Sequence, residues 1–371
     1  MIRLLARAAT TLTLISAFGA HASEQEAASN SIASAAGSVE VSADGSVGSP
    51  DSLVPPADRR GAEQTLLTYP EWLLVHSPSE YARMMQSEPS HEFPFVAHIG
   101  ELWSSYAIVT REQLRAGYPI NPGYHMMIGV IATSTTVEYG VRAVYGNTVG
   151  RISWALGGAR ATDEDRYDAQ TAQQYVDFIR QEPWYLFNFG SRLKGLWTEV
   201  PTAGPGMIRK WERRFALTGE YGVKALYAQA IKVATHAAYA PPQMTTDVVV
   251  DRLPDDWTPP AEVKLVKRFD DGRALLSLPR YYDFRIAATA LARQGLHIID
   301  IAGNQSTILV SLWAPEGKAV EVDGARTLFT QPIRTPAHTT RVVMLVPVPK
   351  LTELLAGADD AGWTVEHVYD Y

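Results

Sequence analysis

Apolar residues recur at spacings of three and four from His125 to Tyr145, the longest stretch of the chain with one consistent helical period. Val130, Ser134, Val137, Val141 and Val144 share one face, and Glu138 and Arg142 sit one turn apart on another, where they can pair. A second stretch, Trp211 to Tyr239, carries Val223, Leu226, Tyr227, Ala230, Ile231 and Ala234 at the same spacing, with Glu220 and Lys224 as a second such pair. Gly129, Ala132, Gly140 and Ala143 leave room for close approach. The two stripes are therefore expected to face each other in the middle of a helical domain.

Shorter helical patterns surround this pair. Thr68-Tyr69-Pro70-Glu71-Trp72 reads as a helix start, because Pro suits the first turn. Ser77 and Glu80 stand at capping-box spacing and predict another start. Phe93 to Tyr106 predicts a third helix, and Thr162-Asp163-Glu164-Asp165 caps one that runs to about Gln181. After Pro241-Pro242 the period changes from helical to alternating. Strands are expected at 247–251, 263–269, 273–278, 296–301, 307–313, 341–346 and 363–369, with helices at 282–294 and 349–361. That order predicts a ferredoxin-like α/β sandwich with an added hairpin. The fold class expected is α+β in two domains: an all-α helical domain over 61–242, then the ferredoxin-like domain over 243–371.

The N-terminus has a different character. Arg3 and Arg7, an apolar stretch from Ala8 to Ala20 and Ala20-His21-Ala22 form the pattern of a signal peptide over 1–22, cleaved before Ser23. Residues 23–60 are Ser, Ala, Gly, Glu and Val with no period, which predicts a disordered tether. The expected location is the periplasm or outside the cell. A formal net charge of -7 argues against nucleic-acid binding, which needs a basic surface. The absence of cysteine excludes disulfides, thiol nucleophiles and thiolate metal sites.

Chemistry-bearing residues are scattered. Glu71, His76, His98, Glu101, His125, Glu138, Glu220 and His236 all fall in the helical region. His98 and Glu101 share a helix face, and with Glu138 and Glu220 they offer a ligand set for a divalent metal in a helical bundle. Against that reading, Glu138 and Glu220 also have Arg142 and Lys224 as helical partners. Gly-x-Ser-x-Gly is absent, and Ser134 stands mid-helix with no free amides to form an oxyanion hole. Arg209, Lys210, Arg213 and Arg214 form the one basic cluster, which can hold an anion or a lipid head group, or be a helix face paired with local acids. Trp184 and Trp197 bound an aromatic stretch suited either to a membrane interface or to a seam between helices.

Several phrases occur together: Thr68-Tyr69-Pro70-Glu71-Trp72, Ser134-Thr135-Thr136-Val137-Glu138, Pro183-Trp184-Tyr185 and Arg213-Arg214-Phe215-Ala216-Leu217 with Glu220-Tyr221. Over roughly 60–239 the chain resembles a family of bacterial proteins of unknown function. The resemblance implies no catalytic residue. The function expected from the residues is an exported envelope protein that binds a partner protein or a membrane surface through its helical domain. The alternative is a metal-dependent enzyme using the Glu/His set.

Overall fold

The computed structural model of the chain describes residues 51–235 and 243–370. The expected signal peptide, most of the tether, His236 and Pro241-Pro242 lie outside the described residues. The fold is mixed: helices come first in the chain, followed by antiparallel sheets with two further helices.

The first helix, α1 (Gln64–Met84), runs through both Pro70 and Pro78. The two separate helix starts expected there are one helix. An interior proline removes a backbone hydrogen bond at a cost of about 3 kcal/mol. Burial on several sides of α1 offsets that loss: Leu66, Leu67, Tyr69, Leu73, Tyr81 and Met84 are all in the core. Ser77 does not cap; its hydroxyl meets Tyr139 Oη at 2.8 Å. Then come α2 (Phe95–Arg115) and α3 (Pro122–Tyr145), the latter capped by the Asn121 side chain. A π-helical turn (Gly146–Gly150) leads into the short α4 (Arg151–Leu156). The expected capping box of Thr162 and Asp165 opens α5 (Asp163–Ile179). α6 (Phe189–Thr198) and α7 (Met207–Thr235) complete this half.

The two stripes expected to face each other do not. On α3 the buried positions are Ile128, Ala132, Tyr139 and Ala143, while Val137, Val141 and Val144 face outward. On α7, Val223, Leu226 and Tyr227 also face outward. The two helices meet instead through charge, Lys224 Nζ lying 3.1 Å from Glu138 and Arg142 3.5 Å from Glu220.

The strands form two sheets. β1 (Thr245–Val250), β2 (Lys264–Arg268), β3 (Ala274–Pro279) and β4 (Ile298–Ile301) make a sheet of order β2-β3-β1-β4. β5 (Thr307–Pro315), β6 (Arg326–Ile333), β7 (Thr339–Pro347) and β8 (Thr364–Val368) make a second, of order β6-β7-β5-β8. The topology is repeated. In each sheet the third strand leads through a helix, α8 (Tyr282–Arg293) or α9 (Val348–Gly357), to a fourth strand on the far side of the first. The exits from both helices match as well, Gly295 and Gly362 at φ +76° and +73° each turning the chain into the last strand. β6 was not anticipated. It is an edge strand with mostly outward side chains, Pro332 and a bulge, so it carries little alternating signal.

Alternation along β1 and β5 sends side chains to two different places. Val248, Val250, Ile308, Val310 and Leu312 join α8 and α9 in one apolar core shared by both sheets. On the other face of the first sheet, Val249 and Leu275 pack with Val54. Residues 51–60, expected as the end of the tether, are therefore part of the fold: Val54 is buried, and Arg60 donates its backbone N–H to Ala302 O at 2.8 Å. The other face of the second sheet packs Leu309, Val343 and Tyr369 against Leu66, Tyr69 and Val109 of the helical half. The Thr65 hydroxyl bridges the two, donating to Tyr369 O at 2.7 Å and accepting from Leu309 N at 2.9 Å.

At the centre of this contact Arg341 of β7 is fully buried. It donates to Glu80 of α1 at 2.8 Å and to both oxygens of Glu366 of β8 at 2.6 and 2.7 Å. Removing one member of such a set strands the others without a counter-charge. Arg341→Ala is expected to cost about 3–5 kcal/mol in urea unfolding, part of which Glu80→Gln and Glu366→Gln recover. A loss under about 1 kcal/mol would show that the set does not hold the halves together.

Candidate functional site

The basic cluster is not a surface. Arg209 and Arg214 are 0% and 1% exposed, and Lys210 and Arg213 are buried with them. All four face the acidic first turns of α5. Arg209 bonds Asp165 at 2.7 Å, Lys210 lies 2.8 Å from Asp163 and 3.0 Å from Glu164, Arg213 bonds Asp168 at 2.6 Å, and Arg214 bonds Glu164 at 2.7 Å. The expectation of an anion- or lipid-binding cluster is corrected by this ladder, because every cation in it already has a carboxylate. Burial opposes the charge on Asp165, but Arg213 and Arg209 outweigh it and hold the carboxyl below its usual range. The signal was present in the sequence: Asp163-Glu164-Asp165 with Asp168 is spaced to complement Arg209-Lys210 with Arg213-Arg214.

The proposed metal ligands fall into two different sets. Glu138 and Glu220 join Arg142 and Lys224 in a four-membered ion-pair ring, Glu220 lying 2.9 Å from Lys224. Burial works against the Glu220 charge, yet Arg142 and Lys224 hold its carboxyl down to about 2. His98 and Glu101 stay together at 3.7 Å, but their third neighbour is Glu80, 3.8 Å from His98. Among the described residues no group of three or more His, Asp or Glu side chains is placed to hold a metal ion. The expected four-ligand set is not brought together, because Glu138 and Glu220 have Arg142 and Lys224 as cations of their own.

Fixing α7 by its charges keeps Leu217, Tyr221 and Ala228 buried and turns a second apolar side out. Ile208, Trp211, Phe215, Val223 and Leu226 are exposed, Phe215 at 71% and Leu226 at 76%. Arg142 acts similarly on α3: its guanidinium lies over Tyr81 at 4.5 Å and Phe95 at 4.9 Å, while Val141 and Val144 face away. Ile152 and Leu156 of α4 continue the same character. Among the described residues the sheet half contributes only Met244, Leu265, Val266 and Ile286 to the exposed large apolar side chains. Such patches mark interaction surfaces. Trp197 belongs to this surface, its indole N–H donating to Thr218 and its ring 5.3 Å from the Arg214 guanidinium. Trp184 does not; it fills a seam, its ring 5.3 Å from Tyr227. Among the described residues no helix is long and apolar enough to cross a membrane.

Sequence reasoning missed the polar seam between the halves. Around Arg341, His76 lies 3.0 Å from Tyr369 Oη and 3.4 Å from Glu366, and Tyr69 donates to Gln331 at 2.6 Å. Burial opposes charge on Glu366, but Arg341 outweighs it and holds the carboxyl far below its usual range. Burial pushes His76 down to about 3, so it is neutral. A lone Arg or Glu inside an apolar strand, such as Arg341 before Val342-Val343 or Glu366 after Val365, was the available sign.

Glu101 lies beside this seam with one oxygen buried and without a hydrogen bond, His98 being 3.7 Å away. Burial and then the Glu80 charge raise its carboxyl to about 7. Below pH 4.5 Glu101 is protonated in both the folded and the unfolded chain. Between there and pH 7 only the unfolded chain releases the proton, so this group makes folding progressively less favourable as pH rises, by up to about 3 kcal/mol. Glu101→Gln is expected to gain roughly 1–3 kcal/mol on the native chain between about pH 5 and pH 8, read from urea midpoints. Parallel pH dependence in the two proteins would contradict this.

No protein family, curated protein or solved structure matches the chain.

Proposed function

We propose that this is an exported envelope protein that lays the outer face of its helical half on a membrane surface. The single observation behind this reading is inverted polarity. α7 buries Arg209, Lys210, Arg213 and Arg214 and exposes Ile208, Trp211, Phe215 and Leu226. A helix in water does the reverse. Ionisable groups turned inward and paired, with apolar side chains outward, are the arrangement expected against hydrocarbon. The apolar side chains are spread over α3, α4, α6 and α7, which suits a deformable lipid layer better than one shaped partner. Trp197 and Trp211 add side chains favoured at the lipid–water boundary. The N-terminal export pattern supports this reading. On this reading the two repeated units of the sheet half are ferredoxin-like split βαβ modules held on the aqueous side, and the helical half is a separate domain.

A second reading, docking of a partner helix, draws on the glycines. A Cβ at Gly129, Gly140, Gly219 or Gly222 meets nothing within 4 Å. Interior glycines cost a helix about 1 kcal/mol each, which close approach by another helix repays.

Co-sedimentation of the full mature chain with phosphatidylcholine vesicles tests the membrane reading. Binding is expected without anionic lipid and with little salt dependence, since Arg209, Lys210, Arg213 and Arg214 are buried and paired. Burying one side chain such as Phe215 or Leu226 contributes about 1.5–3 kcal/mol, so Phe215→Asp with Leu226→Asp should weaken binding at least about tenfold at an unchanged melting temperature. A chain that stays in the supernatant when the vesicles pellet but self-associates in solution, and loses that association in the same variant, would select the partner reading.

A further inference from the structure

The seam between the halves contains a cavity of about 220 Å³. Its walls come from three directions: Trp72 and Arg83 from α1, Tyr282 and Arg285 from α8, and Trp313 with Glu366 from the second sheet. Arg180, beside the end of α5, stands at the same cavity.

The charges around it do not cancel. Glu80 and Glu366 are the buried carboxylates, and Arg341 pairs with both. Arg83 makes no ion pair among the described residues; it donates to Thr335 O and Ser79 Oγ, each at 3.1 Å, and supplies a second positive charge that the charges of Glu80 and Glu366 favour, while His76 is neutral. Arg180 pairs with Asp177 at 3.2 Å. Arg285 is left over. Among the described residues it makes no ion pair; its Nη2 donates to Tyr282 Oη at 3.3 Å, and its Nε is buried with no acceptor. Arg83 Nη2 is likewise buried without an acceptor. A guanidinium with an unused donor at the wall of a cavity is matched by a carboxylate.

The rest of the cavity fixes the body of the ligand. Trp72, Tyr282 and Trp313 supply aromatic walls. An apolar cavity of about 150 Å³ accommodates benzene, so this space takes a ring bearing one small substituent. One surplus positive charge calls for one negative charge. We propose that the cavity binds a small monocarboxylate with a flat apolar body, its carboxylate on Arg285. The proposal stands apart from the membrane reading, since the site lies between the halves and not on the outward apolar face.

Titration calorimetry of the full chain with benzoate, its neutral isostere benzamide and inorganic phosphate tests it. Benzoate is expected to bind one to one and saturably, with benzamide at least about tenfold weaker because it lacks the charge. Arg285→Gln should weaken benzoate at least about tenfold while leaving the urea midpoint near that of the native chain, and Arg285→Lys should restore part of the affinity by keeping the charge. No saturable benzoate binding up to about 10 mM would overturn the proposal, as would undiminished binding in Arg285→Gln. Phosphate binding tighter than benzoate would overturn the monocarboxylate assignment.

Discussion

Four cations of α7 and three carboxylates of α5 are packed together away from water, with the half-exposed Asp163 at their edge, and each depends on the others. An ion taken out of water costs several kcal/mol unless a counter-charge meets it. Asp163, Glu164, Asp165 and Asp168 meet Arg209, Lys210, Arg213 and Arg214, and the contact allows only one rotation of α7 about its axis. With that rotation set, Ile208, Trp211 and Phe215 have nowhere to face but outward. The Glu138–Arg142–Glu220–Lys224 ring carries the same constraint across to α3. The outward apolar surface is thus a consequence of charge pairing inside the helical half.

The same rule joins the two halves. Arg341 sits on a strand whose neighbours Val342 and Val343 are buried, and its carboxylates come from a helix and a strand far apart in sequence. Together with the Thr65 hydroxyl bridge, it fixes α1 against the second sheet. That placement brings α1, α8 and β5 around a common space, so the cavity at the seam depends on the buried charge beside it.

Periodicity located most elements but not the sides they present. The helical stripe of α3 was correctly placed in the chain, yet Val137, Val141 and Val144 face away from the protein. Hydrophobic period reports that a helix has an apolar face; it does not say what covers that face. The deciding information lay in the charged residues, whose complementary spacing on α5 and α7 is visible only when two distant segments are compared. The repeated topology of the sheet half was hidden for a different reason: strand order within a sheet is set by pairing across the fold, and β6 carries too little alternation to announce itself. Residues of the seam such as Arg83 and Arg285 gave no local motif, because the halves that supply them are far apart in the sequence, and Glu80 read only as part of a capping box.

The absence of cysteine makes the account's central claim directly measurable. A single spin label can be placed by Phe215→Cys, Leu226→Cys or Val144→Cys, with Ile286→Cys on the sheet half as the water-exposed reference. Collision rates with dissolved oxygen and with a water-soluble nickel chelate then report the surroundings of each label on phosphatidylcholine vesicles. Inverted polarity predicts that labels at 215, 226 and 144 become rich in oxygen contact and shielded from nickel, while the label at 286 stays open to nickel. Labels at 215 and 226 that remain as open to nickel as the one at 286, on vesicles that have bound the protein, would contradict it.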